Sequence, residues 1–172
     1  VLNQGDTQAG IYTAVMGKDG SVAFSLKSDS AQSELRVYNH KLKKVFAWHI
    51  EQEKVFDIAI SPNGNSAAVI LTGSKNAQPY SKLVIVDFDK KEPVSQFTYE
   101  NQVLFDVLYP SGSTVIAYGT DMKTTISKKT ERTDDYKYGS STISMQDTAD
   151  SGKSVVVLSE YGSDGKQKIA VF

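Results

Sequence analysis

Apolar residues along this chain come in short runs, separated by polar clusters rich in Gly, Pro, Asn and Asp. The clearest stretch is 54–99. A first run, 55–60, ends in Ser61-Pro62-Asn63-Gly64. Pro presets φ and Asn-Gly accepts positive φ, so this tetrapeptide predicts a tight hairpin turn. A second run follows at 66–71. A longer polar loop, 72–81, leads to 83–88, whose alternation suits a half-buried strand. Asp89-Lys90-Lys91-Glu92 turns the chain into 94–99. The stretch predicts four antiparallel strands, a to d.

The same order recurs. Upstream, 11–16, 22–26, 35–38 and 45–50 read as strands a to d, with Lys18-Asp19-Gly20 as the first turn. Downstream, 103–108 and 115–118 flank Pro110-Ser111-Gly112, followed by poorer strands at 124–127 and near 138. A fourth unit runs 143–145, turns at Asp150-Ser151-Gly152, continues at 155–158 and stops after 168–172. The turn glycines Gly20, Gly64, Gly112 and Gly152 are 44, 48 and 40 residues apart, and nine residues before each stands Ile11, Val55, Val103 or Ile143. A repeat of this length with four strands per unit predicts a β-propeller-like array in one domain. Its blades lie at about 8–51, 52–100, 101–140 and 141–172, the last incomplete. The alternative is a β-sandwich, which also spaces strands evenly. Residues 1–4 would close a four-bladed ring by supplying the last strand d. Otherwise the chain is part of a larger ring, completed by further blades or by a second copy in a homo-oligomer.

Composition narrows the classes. The 172 residues are 40% hydrophobic and 23% charged, a globular balance, and the net charge of −1 offers no field for nucleic acid. There is no Cys, so disulfides and thiolate metal sites are excluded. No run is long enough to span a bilayer. The opening at Val1, inside what reads as structured sequence, predicts a fragment from which a leader or anchor has been removed.

The segment QAGIYTAVMGKDGSVAFSLKSDSAQSELRVYNHKLKKVFAW, from Gln8 to Trp48, carries a further signal. With the Ala59-Ile60-Ser61-Pro62-Asn63-Gly64 turn and the Glu92-Pro93-Val94 step, it resembles the bacterial family DUF5711, of unknown function. The resemblance covers most of 8–110. It implies a short amino-terminal tail, one transmembrane helix and a propeller-like domain outside the cell, at the outer face of a Gram-positive plasma membrane. The alternative location is cytoplasmic. No catalytic residue carries over.

Candidate chemistry is sparse. His40 and His49 share no metal-ligand spacing, and no nucleophile elbow, calcium loop or phosphate-binding glycine loop occurs. The reading therefore assigns no cofactor, no metal and no catalytic residue. Phe56, Phe88, Phe97, Phe105 and Trp48 alternate within strands and are expected in the core between blades. Tyr80, beside Pro79 and Asn76 in the long b–c loop, is a candidate contact residue, and a residue covering its own blade edge in the plainer reading.

In such a meander the d–a and b–c connections share one face, and the a–b and c–d turns the other. The first is expected to carry Asp29, Glu34, Glu51, Glu53, Glu100, Asp134 and Asp135. The second carries the c–d lysines Lys41, Lys43, Lys44, Lys90, Lys91, Lys128 and Lys129, with Arg132. The expectation is a non-catalytic binding or scaffold domain whose partner, a protein or cell-wall polymer, meets Asn76, Pro79, Tyr80, Gln52, Glu100 and Asn101. The basic face would meet an anionic membrane surface or wall polymer. The alternative is a hydrolase or lyase with its site over the central channel.

Overall fold

The computed structural model describes residues 10–27, 32–119, 122–127, 130–135, 147–148 and 154–155. These form β1 (Ile11–Met16), β2 (Val22–Lys27), β3 (Gln32–Tyr38), β4 (Lys44–Glu51), β5 (Lys54–Ile60), β6 (Ser66–Lys75), β7 (Gln78–Asp87), β8 (Glu92–Glu100), β9 (Leu104–Ser111), β10 (Thr114–Gly119), β11 (Met122–Ser127), β12 (Thr130–Asp135), β13 (Asp147–Thr148) and β14 (Ser154–Val155). Each of the first three units is a four-stranded antiparallel meander with neighbours in chain order, and β13 pairs with β14. No helix long and apolar enough to cross a membrane occurs among the described residues.

The sheets stack face to face. β5 packs against β1 on one side and β9 on the other, so the first strands meet along a common inner edge. Sheet two is apolar on both faces because it lies between two neighbours. Ala67, Val69, Leu71, Val84 and Val86 enter one core with Leu35, Val37 and Phe46 of sheet one. Ala68, Ile70 and Leu83 enter a second core with Leu104, Val107, Val115 and Ala117 of sheet three. That is why β6 reads as an unbroken apolar run rather than an alternation. Each fully buried aliphatic side chain there contributes about 1.5–3 kcal/mol relative to exposure.

The hairpins follow the predicted chemistry. Gly20 and Gly64 take φ of 80° and 71°, and their N–H groups donate to the carbonyls of Gly17 and Ser61. The c–d turns are pinned by side chains: Asn39 Oδ1 accepts from the N–H of Lys41 and Lys43, and Asp87 Oδ1 from those of Asp89 and Lys90.

Three expectations need correction. The long polar loop at 72–81 does not exist: β6 and β7 continue pairing through Gly73↔Tyr80, Ser74↔Pro79 and Lys75↔Gln78. Only Asn76 and Ala77 remain as the turn, with φ of 53° and 62°, a twist that suits a two-residue hairpin. Phe56 is 38% exposed rather than core, because the β5–β6 register shifts between Val55 and Asp57 and leaves Phe56 as the extra, bulged residue. Of the in-phase apolar residues, Ile11 and Val103 are exposed. Leu104, one residue later, fills the place that Val55 holds in sheet two, because the β9–β10 turn is shorter. Phe88 is buried, and Trp48 and Phe97 pack partly against the cores, as expected. The residues assigned to strands at 143–145 and 168–172, and to closure by 1–4, lie outside the described residues.

Candidate functional site

The repeated bulge organises the inner edge. β1 shifts register between Ile11 and Thr13, β5 between Val55 and Asp57, and β9 between Leu104 and Asp106. The bulged residues are Tyr12, Phe56 and Phe105, and the next positions are Thr13, Asp57 and Asp106. Bulges re-aim the side chains beside them. Here they set two carboxyls on adjacent first strands, lining a cleft of about 280 Å³ with Lys18, Ile58 and Tyr109. Asp57 Oδ2 accepts the Val107 N–H at 2.9 Å, so the carboxyl crosses from sheet two to sheet three.

Burial pushes the Asp57 carboxyl above its ordinary value, against hydrogen bonds from the N–H groups of Val107 and Ile58 and from Asp106. Two carboxyls in hydrogen-bond contact share a proton, because both cannot ionise side by side. Glycoside hydrolysis needs roughly 5 Å or more between its carboxyl groups, which this contact does not leave.

The opposite rim gathers the predicted contact residues. Asn101 donates its N–H to the Pro79 carbonyl at 3.0 Å, and Tyr80 pairs with Glu100 across β7 and β8. Gln52 and Asn101 hold equivalent places in the two d–a links, with φ of 64° and 57°. Tyr80 lies over Gly73, where a Cβ would come within 2.6 Å of the ring. Its hydroxyl donates to Glu53 Oε1 at 2.8 Å, which raises the hydroxyl's pKa. Lys82 Nζ reaches the same oxygen at 2.5 Å and lies 5.6 Å from the Tyr80 ring centroid. Tyr80 therefore fastens the hairpin to the link preceding β5. Asn76 stands apart at the exposed tip. The acidic residues of this rim are partly neutralised, Glu53 by Lys82 and Glu34 by Arg36 at 2.8 Å; the Arg36 guanidinium holds Glu34 below its ordinary value. Asp134 pairs with Arg132 on β12, at 3.1 Å.

Lys41, Lys43, Lys44, Lys90 and Lys91 all stand exposed at the c–d turns of sheets one and two or beside them. Lys90 is 3.8 Å from Asp87. Lys128, Lys129 and Asp29 lie outside the described residues. His40 sits in a turn and His49 opposite Glu34 on β4, and no group of three or more metal-ligating side chains occurs among the described residues. Sequence reasoning missed Asp57 and Asp106, although Phe-Asp recurs in phase in both first strands.

The model of DUF5711, a family of unknown function, matches residues 1–172. The chain belongs to DUF5711. No curated protein matches it. Among solved structures, this DUF5711 chain is similar to TolB from Acinetobacter baumannii, at TM-score 0.62 and 14% identity over 95% of the chain and 41% of TolB. It is similar to the dihydro-heme d1 dehydrogenase NirN, at TM-score 0.60 and 12% identity over 96% of the chain and 37% of NirN. The β-propeller domain of the trilobed protease from Pyrococcus furiosus matches at TM-score 0.50 and 12% identity over 78% of the chain and 45% of that domain. The DUF5711 chain spans under half the length of each. At these identities the likeness concerns fold alone: the three stacked sheets are propeller blades.

Proposed function

We propose that this DUF5711 chain is a non-catalytic binding domain, held on the outer side of a bacterial plasma membrane, that docks a protein partner through its d–a and b–c rim. The observation that carries the reading is the β6–β7 hairpin. β6 and β7 have 10 residues each, against 6 in β10 and β11. Beyond Thr72, β6 has no partner on its β5 side, whereas on the other side the Pro79 carbonyl is taken by the Asn101 N–H. The exposed tip thus projects with a free backbone edge along the end of β6, Gly73 to Lys75, the geometry that accepts an added strand. Glu53, Lys82 and Gly73 hold the arm in place without contributing to its tip.

A photo-crosslinking side chain at Asn76, in cells making the full-length protein, tests the docking. A discrete adduct is expected from Asn76, with none from Lys90 on the opposite face. Equal adducts from both positions sink the reading. Protease added to intact cells should cleave the domain; complete protection would refute the location.

The alternative, a hydrolase or lyase over the channel, is favoured by one observation, the Asp57–Asp106 pair. Its hydrogen bond to the Val107 backbone instead marks a tie between blades.

A further inference from the structure

The a–b and c–d turns of sheets one and two enclose a second cleft, of about 730 Å³, on the face opposite the projecting hairpin. Its floor includes Val45 and the buried Phe88. Its walls carry Lys43 and Lys44 from one blade and Lys91 from the next, together with His40 and Asp19.

The charges around it do not cancel locally. Among the described residues none of Lys43, Lys44 and Lys91 makes an ion pair. Two carboxylates border the cleft, Asp19 and Asp89. Asp19 is committed: Oδ1 accepts the Ser21 N–H at 3.1 Å and Oδ2 the Ser21 hydroxyl. Burial works against its ionised form, but these hydrogen bonds and His40 hold its pKa below the ordinary value. Asn39 Oδ1 is likewise spent on two backbone N–H groups, which leaves its amide N–H2 as the donor it can offer a ligand. Three lysines from two blades line one concave site and raise the positive potential there, although Lys44 also acts on Glu34.

We propose that this interblade cleft binds a phosphate group, with Lys43, Lys44 and Lys91 as its cationic contacts and Asn39 as a neutral donor. Compact ammonium charges on long stems suit a tetrahedral anion approached from several sides. A concave site between blades takes a discrete phosphate, such as one repeat of a phosphorylated polymer, rather than a flat bilayer surface. Val45 and Phe88 would lie under the non-ionic part of the ligand. This inference is independent of the docking reading, since the hairpin lies on the other face.

Backbone amide NMR of the chain, titrated with inorganic phosphate and with chloride at matched ionic strength, tests it. Phosphate should shift resonances around residues 39–45 and 88–91 and leave 74–79 unmoved. The double variant K44Q/K91Q, both positions exposed, should weaken the phosphate response by about tenfold or more, while K75Q leaves it unchanged. Vesicles of phosphatidylglycerol and phosphatidylcholine form the second arm, with no sedimentation of the chain expected. Equal shifts with chloride, shifts scattered over all lysines, or an undiminished response in K44Q/K91Q would overturn the site. Vesicle binding lost in K44Q/K91Q, with no response to free phosphate, would overturn it in favour of a lipid surface.

Discussion

Replacing Asp57 by asparagine isolates the proton held at the inner edge. Burial keeps the Asp57 carboxyl above its ordinary value, so the folded chain retains a proton that the unfolded chain has released. The stabilisation is therefore complete below the unfolded-state value of about 4 and is lost as pH rises through the native titration. Each pH unit in that window costs the wild type about 1.4 kcal/mol per retained proton. Asparagine does not titrate. Its Oδ1 can accept the Val107 N–H, and its N–H2 can donate to Asp106 without a shared proton. Asp57→Asn should therefore gain on wild type as pH rises above about 4, the two curves diverging until the native carboxyl has titrated. Asp57→Ala should lose stability throughout, by about 1–3 kcal/mol, because the Val107 N–H is left without its acceptor. The charged group facing the pair from β1 and its turn is Lys18, which lines the same cleft, so Lys18→Met belongs in the series. Urea midpoints across pH provide the readout. Parallel curves for wild type and Asp57→Asn would refute the shared proton.

Leu83→Ala opens a cavity in the core between sheets two and three and should cost about 2–5 kcal/mol in urea unfolding. Tyr80→Phe removes the hydroxyl from Glu53 but leaves Lys82 in place, so a loss of about 1 kcal/mol is expected, with no change in the far-ultraviolet circular dichroism. Gln52→Gly relieves a left-handed backbone at an exposed link and should raise stability by about 1 kcal/mol, seen as a higher urea midpoint.

The blades were legible because their turns repeat a physical requirement. Gly20 and Gly64 recur where the chain must adopt positive φ, and the apolar runs between turns are long enough for one strand each. The 72–81 segment was misread because its residues are polar. A strand that projects beyond both cores has nothing apolar to bury, so periodicity is silent there, and a two-residue turn of Asn-Ala lacks the glycine that marks most such hairpins. Phe56 was misplaced because strand alternation presumes an unbroken register. The bulge residue breaks it, and nothing in a lone strand announces a bulge.

Comparison between units says most about where function lies. The bulge recurs in β1, β5 and β9 and keeps an aromatic at its extra position, so it belongs to how blades are built. Its neighbour changes from Thr13 to Asp57 and Asp106. The two carboxyls therefore stand together where sheet two meets sheet three, and Thr13 holds the corresponding position in sheet one. The same contrast separates the two faces. The a–b turns of the first two sheets are alike, each closed by a glycine at positive φ, and lysines recur at the c–d turns, whereas the length of the β6–β7 hairpin has no counterpart in β10 and β11. A feature that every blade needs is accounted for by packing. A long arm with a bare edge and a cleft of unpaired ammonium groups each cost stability in the isolated chain. Both costs would be offset by a strand pairing with the arm and an anion filling the cleft, the two events that the proposals above predict.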